Sequence, residues 1–444
     1  MKPIHLARAL GLVGLIAALG MAPCPASALQ VETLMSPRGV GAYLVSDDTL
    51  PVVSLQVLVP AGSAYDPPGK EGLATLVARL LDEGAGDLDA QAFQQRLEDL
   101  AIDLSFDPGR DYLSISLRTT TETLDEAVHL LALALTQPRF DPEAVERMRA
   151  GQLATVRHQG GDPQALANQA WFKAVFDDHP YAHDEEGTEA SVRALTIDDI
   201  RDFARARLAR KGLAVGIAGA IDARKAATVI DRIFGALPLH PKGPALPPAA
   251  PRFKGETEGV VLDIPQSTAI LGQPGLLRSD PDWHAAYVLN HILGGGGFSS
   301  RLMDEVREKR GLAYSVASFL YPLEKAGVWM ATTATESSRL PESLAVIKAE
   351  WARLAQEGPT EEEVQDAKTA LTGAWPLRLT STQSVAGMLA SMRLYELGAD
   401  YIQTRNAKIE ALTRDDLARV ARRLMDPERL STVVVGPADV LKGK

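Results

Sequence analysis

Two stretches of this chain repeat one another at a fixed distance. LTIDDIRDFARARLARKGLAVGIAGAID fills residues 195–222, and LTRDDLARVARRLMDPERLSTVVVGPAD fills 412–439, an ungapped offset of 217 residues at both ends. In each, a threonine (Thr196, Thr413) stands where a helix N-cap belongs, and an aspartate (Asp199, Asp416) stands three residues on, as in a capping box. Each predicted helix leads into a β-rich run, 213–217 and 432–435, which ends at Gly219 and Gly436. A chain that copies itself at this interval folds as two homologous domains of about 200 residues. Between them lies ALPLHPKGPALPPAAPRFKG, residues 236–255, whose six prolines favour extended backbone. The expected division is a first domain at 29–236, a semi-rigid linker at 237–255 and a second domain at 256–444. A long surface loop is the alternative for the proline-rich stretch.

The start of the chain reads as an export signal. Lys2, His5 and Arg8 precede an uncharged apolar run over 9–22, and Ala26-Ser27-Ala28 fits a small-residue cleavage site. The run is short of the roughly 20 apolar residues that span a bilayer. Cleavage after Ala28 and a periplasmic protein are the expectation, with an uncleaved anchor as the alternative. Cys24 is the only cysteine and falls inside this leader. The residues before it suit a lipid-attachment signal poorly, and the mature chain has no thiol for a disulfide or a thiolate metal site. A net charge of −11 with no strong basic stretch argues against nucleic acid as the main partner.

Alternation predicts strands at 52–62 and 112–119, and apolar periodicity predicts helices at 72–83, 90–99, 124–135, 282–293 and 341–357. Asp141-Pro142 opens a further helix, as does Thr360-Glu361-Glu362-Glu363, another capping-box sequence. Strands and helices cluster separately. The fold class is therefore α+β, with a parallel α/β sheet as the alternative.

Residues 294–316, GGGGFSSRLMDEVREKRGLAYSV, carry the most distinctive local sequence. Four glycines without the Gly-x4-Gly-Lys-Ser/Thr pattern do not make a phosphate loop. They predict a flexible turn, followed by a short helix capped by Ser299 or Ser300 and stopped at Gly311. The run LAYSVASFLY then predicts a strand with Tyr314 and Val316 on one face. Together with IPQSTAILGQPG at 264–275, VPAGSAYDPPGKEGLATLVARLL at 59–81 and HPYAHDEEGTEASVRALTIDDI at 179–200, this segment resembles the pitrilysin/insulinase-type zinc peptidases. These are the H-x-x-E-H inverzincins, which include mitochondrial processing peptidase. The resemblance covers nearly all of the mature chain. It implies two similar domains in a clam-shell arrangement, each a mostly antiparallel sheet with packed helices.

Active members of that family hold zinc with two histidines on one helix of the first domain, and a glutamate between them serves as general base. A second glutamate comes from a later helix. The matching positions here are Thr75, Ala78 and Arg79, which supply no imidazole and no base. No acidic residue occurs between Glu146 and Asp162, where the later glutamate belongs. His179 and His183, followed by Asp184, Glu185 and Glu186, are a second candidate metal cluster, but Pro180 breaks the helix that would align them. The resemblance assigns Arg307 and Tyr314 to substrate holding: an arginine fork and a phenol can both donate to a peptide oxygen. It implies a non-catalytic, substrate-binding subunit of a heterodimeric zinc metallopeptidase. Zinc and H-x-x-E-H would reside in the partner, and this chain would hold no cofactor. A scaffold or binding protein derived from the same family is the alternative. A self-sufficient enzyme lacks support, since no Ser/His/Asp spacing or paired carboxylates stand out.

Overall fold

The computed structural model describes residues 29–442, so the predicted leader at 1–28 lies outside the described residues. Two sheets organise the chain. The first contains β1 (Glu32–Met35), β2 (Gly41–Ser46), β3 (Val52–Val59), β6 (Asp103–Asp107), β7 (Leu113–Thr120) and β8 (Ala214–Gly219), in the order β1-β2-β8-β3-β7-β6. Two short strands, β4 (Gly84–Ala85) and β5 (Leu88–Asp89), form a separate hairpin. The second sheet contains β9 (Thr257–Val261), β10 (Gln266–Pro274), β11 (Ala313–Pro322), β12 (Gly327–Glu336) and β13 (Ser431–Gly436), in the order β11-β12-β10-β13-β9.

The duplication is now visible as topology. β9, β13, β10, β12 and β11 occupy the places of β2, β8, β3, β7 and β6. In both sheets one pair is parallel, β2 with β8 and β9 with β13, and the other pairs are antiparallel. The α+β expectation holds, and the parallel α/β alternative does not.

Helices in the first half are α1 (Leu73–Ala78), α2 (Ala90–Asp99), α3 (Leu124–Thr136), α4 (Pro142–Gln159), α5 (Pro163–Phe176), α6 (Glu189–Ala194), α7 (Ile197–Arg207) and α8 (Ala223–Phe234). The second half has α9 (Trp283–Asn290), α10 (Leu340–Glu357), α11 (Glu361–Gly373), α12 (Thr382–Leu394), α13 (Tyr401–Glu410), α14 (Arg414–Leu424) and α15 (Ala438–Lys442). The capping boxes read from the repeat are present. Thr196 Oγ1 accepts from the Asp199 amide at 3.1 Å while Asp199 Oδ2 accepts from the Thr196 amide at 2.9 Å, and Thr413 and Asp416 repeat both bonds at 3.1 and 2.9 Å. None of the described helices is long and apolar enough to cross a membrane.

Each half lends a helix to the other. α5 packs on β13 and β10 of the second sheet, and its counterpart α12 packs on β8 and β3 of the first. Trp171 of α5 is fully buried and donates from Nε1 to the Ser431 carbonyl at 3.0 Å. Phe172, Val175, Ile270, Met330, Val433 and Val435 complete a core shared by both halves. Across the opposite seam, Ser54 Oγ and Thr382 Oγ1 are 2.8 Å apart, and Tyr43 donates to the Leu397 carbonyl at 2.9 Å. The crossing of α12 requires Gly216 in β8, because a Cβ there would stand 2.1 Å from the Ala386 carbonyl oxygen.

The proline-rich stretch runs extended and is tacked down rather than free. Lys242 donates its amide to Ala206 at 2.7 Å, Arg252 donates to Val175 at 2.8 Å, and Leu246 is buried in the shared core.

Candidate functional site

The helix matched to the zinc motif is shorter than its sequence suggested. It ends at Ala78, and the chain tightens into 3₁₀-type turns, with Leu80 bonded to Val77 and Leu81 to Ala78. Asp66 fastens its N-terminus, accepting from the amides of Gly72 at 2.8 Å and Ala74 at 2.7 Å.

Thr75 and Ala78 are each 1% exposed. Thr75 donates to the Glu185 carbonyl at 2.5 Å, and Arg79 pairs with Glu186 at 2.6 Å. From α4, Gln152 donates to the carbonyls of Gly72 and Glu186 at 2.9 and 2.8 Å. The segment 185–187 is thus bolted onto α1 by the residues that stand at the motif positions. Burial pushes the Glu186 carboxyl up, against the stabilising charge of Arg79.

The candidate histidines do not converge. His183 faces Glu71 at 3.3 Å, whereas the His179 ring accepts from the Tyr181 amide at 3.1 Å and contacts the Pro247 carbonyl at 3.1 Å. Among the described residues, no group of three or more His, Cys, Asp or Glu is placed to hold a metal ion.

The glycine-rich segment is not a free turn. After α9 the chain continues as a π-helical stretch, His291–Gly295, in which Gly294 lies against β11: a Cβ there would meet the Ser318 amide at 2.6 Å. Asn290 Oδ1 accepts from Ser318 Oγ and Trp329 Nε1, both at 2.9 Å, which fixes the start of the segment. The chain then enters the short helix ending in Met303–Glu308. Ser300 has the extended backbone of a cap, but its hydroxyl turns back to the Gly297 carbonyl at 2.7 Å. The stop is at Gly311, φ +59°, as expected.

Four basic residues lie on this segment, and their charges go to different places. Arg301 is buried and held bidentate by Glu363 at 2.5 and 2.7 Å. Lys309 and Arg310 both bind Glu305, at 2.7 and 2.5 Å. Arg307 is part-buried, its side chain 28% exposed, and lies against two aromatic rings. Its guanidinium carbon stands 4.7 Å from the ring centre of Phe298 and 4.8 Å from that of Tyr314, and Glu308 pairs with it at 3.5 Å from Nε. Its terminal nitrogens and the Tyr314 hydroxyl have no hydrogen-bond partner among the described residues.

Tyr314 is 82% exposed and Phe298 68%. Val316 is 3% exposed, so it does not share a face with Tyr314. The expectation that it would is corrected by a β-bulge between Ala313 and Ser315, which breaks the alternation and throws the tyrosine outward. Arg307 and Tyr314 are thus brought together, while Thr75, Ala78 and Arg79 sit buried or paired on α1. Sequence reasoning missed Phe298; the signal that could have found it is a large apolar residue directly after a glycine run, where little core is available.

Comparison with known proteins places the chain. The insulinase model of peptidase family M16 matches residues 42–189, and the model for the peptidase M16 inactive domain matches 194–371. A non-peptidase homolog of Helicobacter pylori, YmxG, is 30% identical over 338 residues, covering 74% of this chain and 76% of its own. The chain belongs to peptidase family M16. An uncharacterized zinc protease of Streptomyces coelicolor is 29% identical over 410 residues, 89% of this chain and 88% of that one. The crystal structure of a peptidase M16 inactive domain from Pseudomonas fluorescens superposes with a TM-score of 0.87 at 28% identity, over 92% of this chain and 98% of that one. The fold is the paired-domain M16 clam shell.

M16 zinc chemistry needs two imidazoles and a carboxylate on the first-domain helix, and this chain's residues do not fit it. Thr75 Oγ1 is occupied by a carbonyl, Ala78 has no donor, and the Arg79 cation would repel a metal ion. Of the buried oxygens left without a partner nearby, Glu186 Oε2 belongs to the carboxylate paired with that cation. Among the described residues, this M16 member has no group placed to hold the family's metal.

Proposed function

We propose that this chain is the non-catalytic, substrate-holding subunit of a two-subunit M16 zinc peptidase that degrades or processes peptides in the periplasm. The observation that carries this reading is the asymmetry between the two sites. Thr75 and Arg79 at the metal positions are committed to an internal hydrogen bond and an ion pair, while exposed Tyr314 and the part-buried Arg307 beside it keep donors without a hydrogen-bond partner among the described residues. A guanidinium fork and a phenol aimed outward suit the oxygen of a peptide bound elsewhere. The partner would supply H-x-x-E-H, zinc and the attacking water, and Arg307 and Tyr314 would orient the peptide across its active site. The name of the Helicobacter pylori relative, a non-peptidase homolog, agrees with the absence of catalysis in this chain alone.

The reading is tested by native purification of the tagged mature chain from its own cell envelope, with mass spectrometry of what accompanies it. A stoichiometric protein bearing H-x-x-E-H is the expected result. A stable assembly without such a protein assigns the chain to a scaffold role instead. Recovery of the chain alone under gentle conditions contradicts the heterodimer.

A further inference from the structure

We propose that Phe298 is a positioning residue for Arg307, and that its open face gives the substrate-holding surface a preference for an apolar side chain beside the peptide oxygen held there. The proposal rests on the reading above of Arg307 and Tyr314 as the holding pair, and it adds the third member and the class of residue selected.

Phe298 has no packing reason to be where it is. It is 68% exposed, while the glycine segment in front of it is pinned to β11 through Gly294 and Asn290. A large ring is therefore held out in solvent by a fixed support. Among the described residues, its one ring contact is with Arg307.

That contact has a physical consequence. An arginine carries much side-chain rotamer entropy, which binding must remove. Contacts with the rings of Phe298 and Tyr314 restrict the guanidinium before any ligand arrives. Its terminal N–H groups, free of internal partners, are left to donate to an incoming oxygen. Glu308 pairs with the guanidinium at 3.5 Å from Nε, beyond a short charged hydrogen bond.

The ligand that fits is an extended peptide, with a backbone carbonyl or terminal carboxylate on Arg307 and Tyr314. The side chain next to that oxygen then meets the uncovered face of Phe298. An aromatic wall rewards apolar and aromatic groups there and gives a small polar one little.

The probe is an equimolar pool of random-sequence pentapeptides, offered to the purified chain and read by mass spectrometry of the retained fraction. One pool has free C-termini and one is amidated. Loss of retention in the amidated pool places the held oxygen on the terminal carboxylate, and equal retention places it on an internal carbonyl. Wild type is expected to enrich apolar residues at one position. Phe298→Ala should lose that enrichment and weaken retention roughly two- to fivefold, the scale of an exposed cation–π contact. Phe298→Leu should keep the enrichment but bind as weakly as the alanine variant. Phe298→Tyr should restore both.

Unchanged enrichment in Phe298→Ala, with retention still abolished by Arg307→Ala, overturns the role of Phe298 and leaves the holding pair standing. Equal retention by wild type and Arg307→Ala, or none by wild type, overturns the holding pair and the proposal together. Phe298 is exposed, so unfolding is not expected to blur the result; a melting curve for each variant checks this.

Discussion

Arg307 differs from its basic neighbours in where its charge goes. Arg301, Lys309 and Arg310 each bind a carboxylate that ties the segment to itself or to α11, and these three are structural. Among the described residues, Arg307 pairs only with Glu308, at 3.5 Å, and the Tyr314 hydroxyl has no hydrogen-bond partner. Substituting them should therefore leave stability nearly untouched: Tyr314→Phe is expected to unfold within about 0.5 kcal/mol of wild type. In the proposed complex with a zinc-bearing partner, the same variant should lower kcat/KM roughly fivefold, the scale of one lost hydrogen bond. Denaturant melts and steady-state kinetics on one peptide substrate measure the two effects. The pair itself was legible from LGGGGFSSRLMDEVREKRGLAYSV. The outward turn of Tyr314 was not, because a one-residue bulge leaves no mark in an alternating run. Nor was Phe298, whose contact depends on how the π-helical stretch delivers the loop.

At the scale of elements, α1 shows what replaced a metal site. Its sequence foretold the missing ligands but not their new partners, since the segment 185–187 is more than a hundred residues away. Arg79 compensates the buried carboxylate of Glu186. Arg79→Ala should cost roughly 1–3 kcal/mol at neutral pH by leaving that group unpaired. The pH dependence has a definite sign. Burial already raises the Glu186 pKa, so the folded chain holds that proton more tightly than the unfolded chain does. Stability from this group is present at low pH and lost as pH rises through the raised value. The Arg79→Ala deficit should accordingly shrink on acidification below the ordinary carboxylate range. Urea melts of the variant and wild type at matched pH values check this, and a deficit that grows on acidification contradicts it.

The exchanged helices α5 and α12 make a second lesson. Neither is among the helices predicted from the sequence, and nothing local says which sheet a helix covers. Trp171 decides it for α5, by burial and by its bond to Ser431. Trp171→Ala should cost roughly 3–5 kcal/mol. The loss should appear as faster hydrogen exchange in β10 and β13 of the second half, not only in the first. Protection unchanged across the second sheet would show that the halves are not coupled through this helix.

For the whole molecule, the repeat at 195–222 and 412–439 foretold the architecture well. Capping boxes and strand ends are short-range features, and both copies kept them. Long-range arrangements were not legible: the helix exchange, the strapped proline-rich stretch, and the bolted α1. The chain has the M16 fold, with α1 of the first half held by internal bonds and Arg307 and exposed Tyr314 side by side in the second.

The measurement that tests this most directly is peptidase activity of the zinc-bearing partner, assayed alone, with this chain, and with its Arg307→Ala/Tyr314→Phe variant. Complex formation is followed in parallel by size-exclusion chromatography. The account predicts activity that requires this chain and falls by at least an order of magnitude with the variant, while the complex elutes unchanged. Equal turnover by the partner alone, or by the complex carrying the variant, would contradict it.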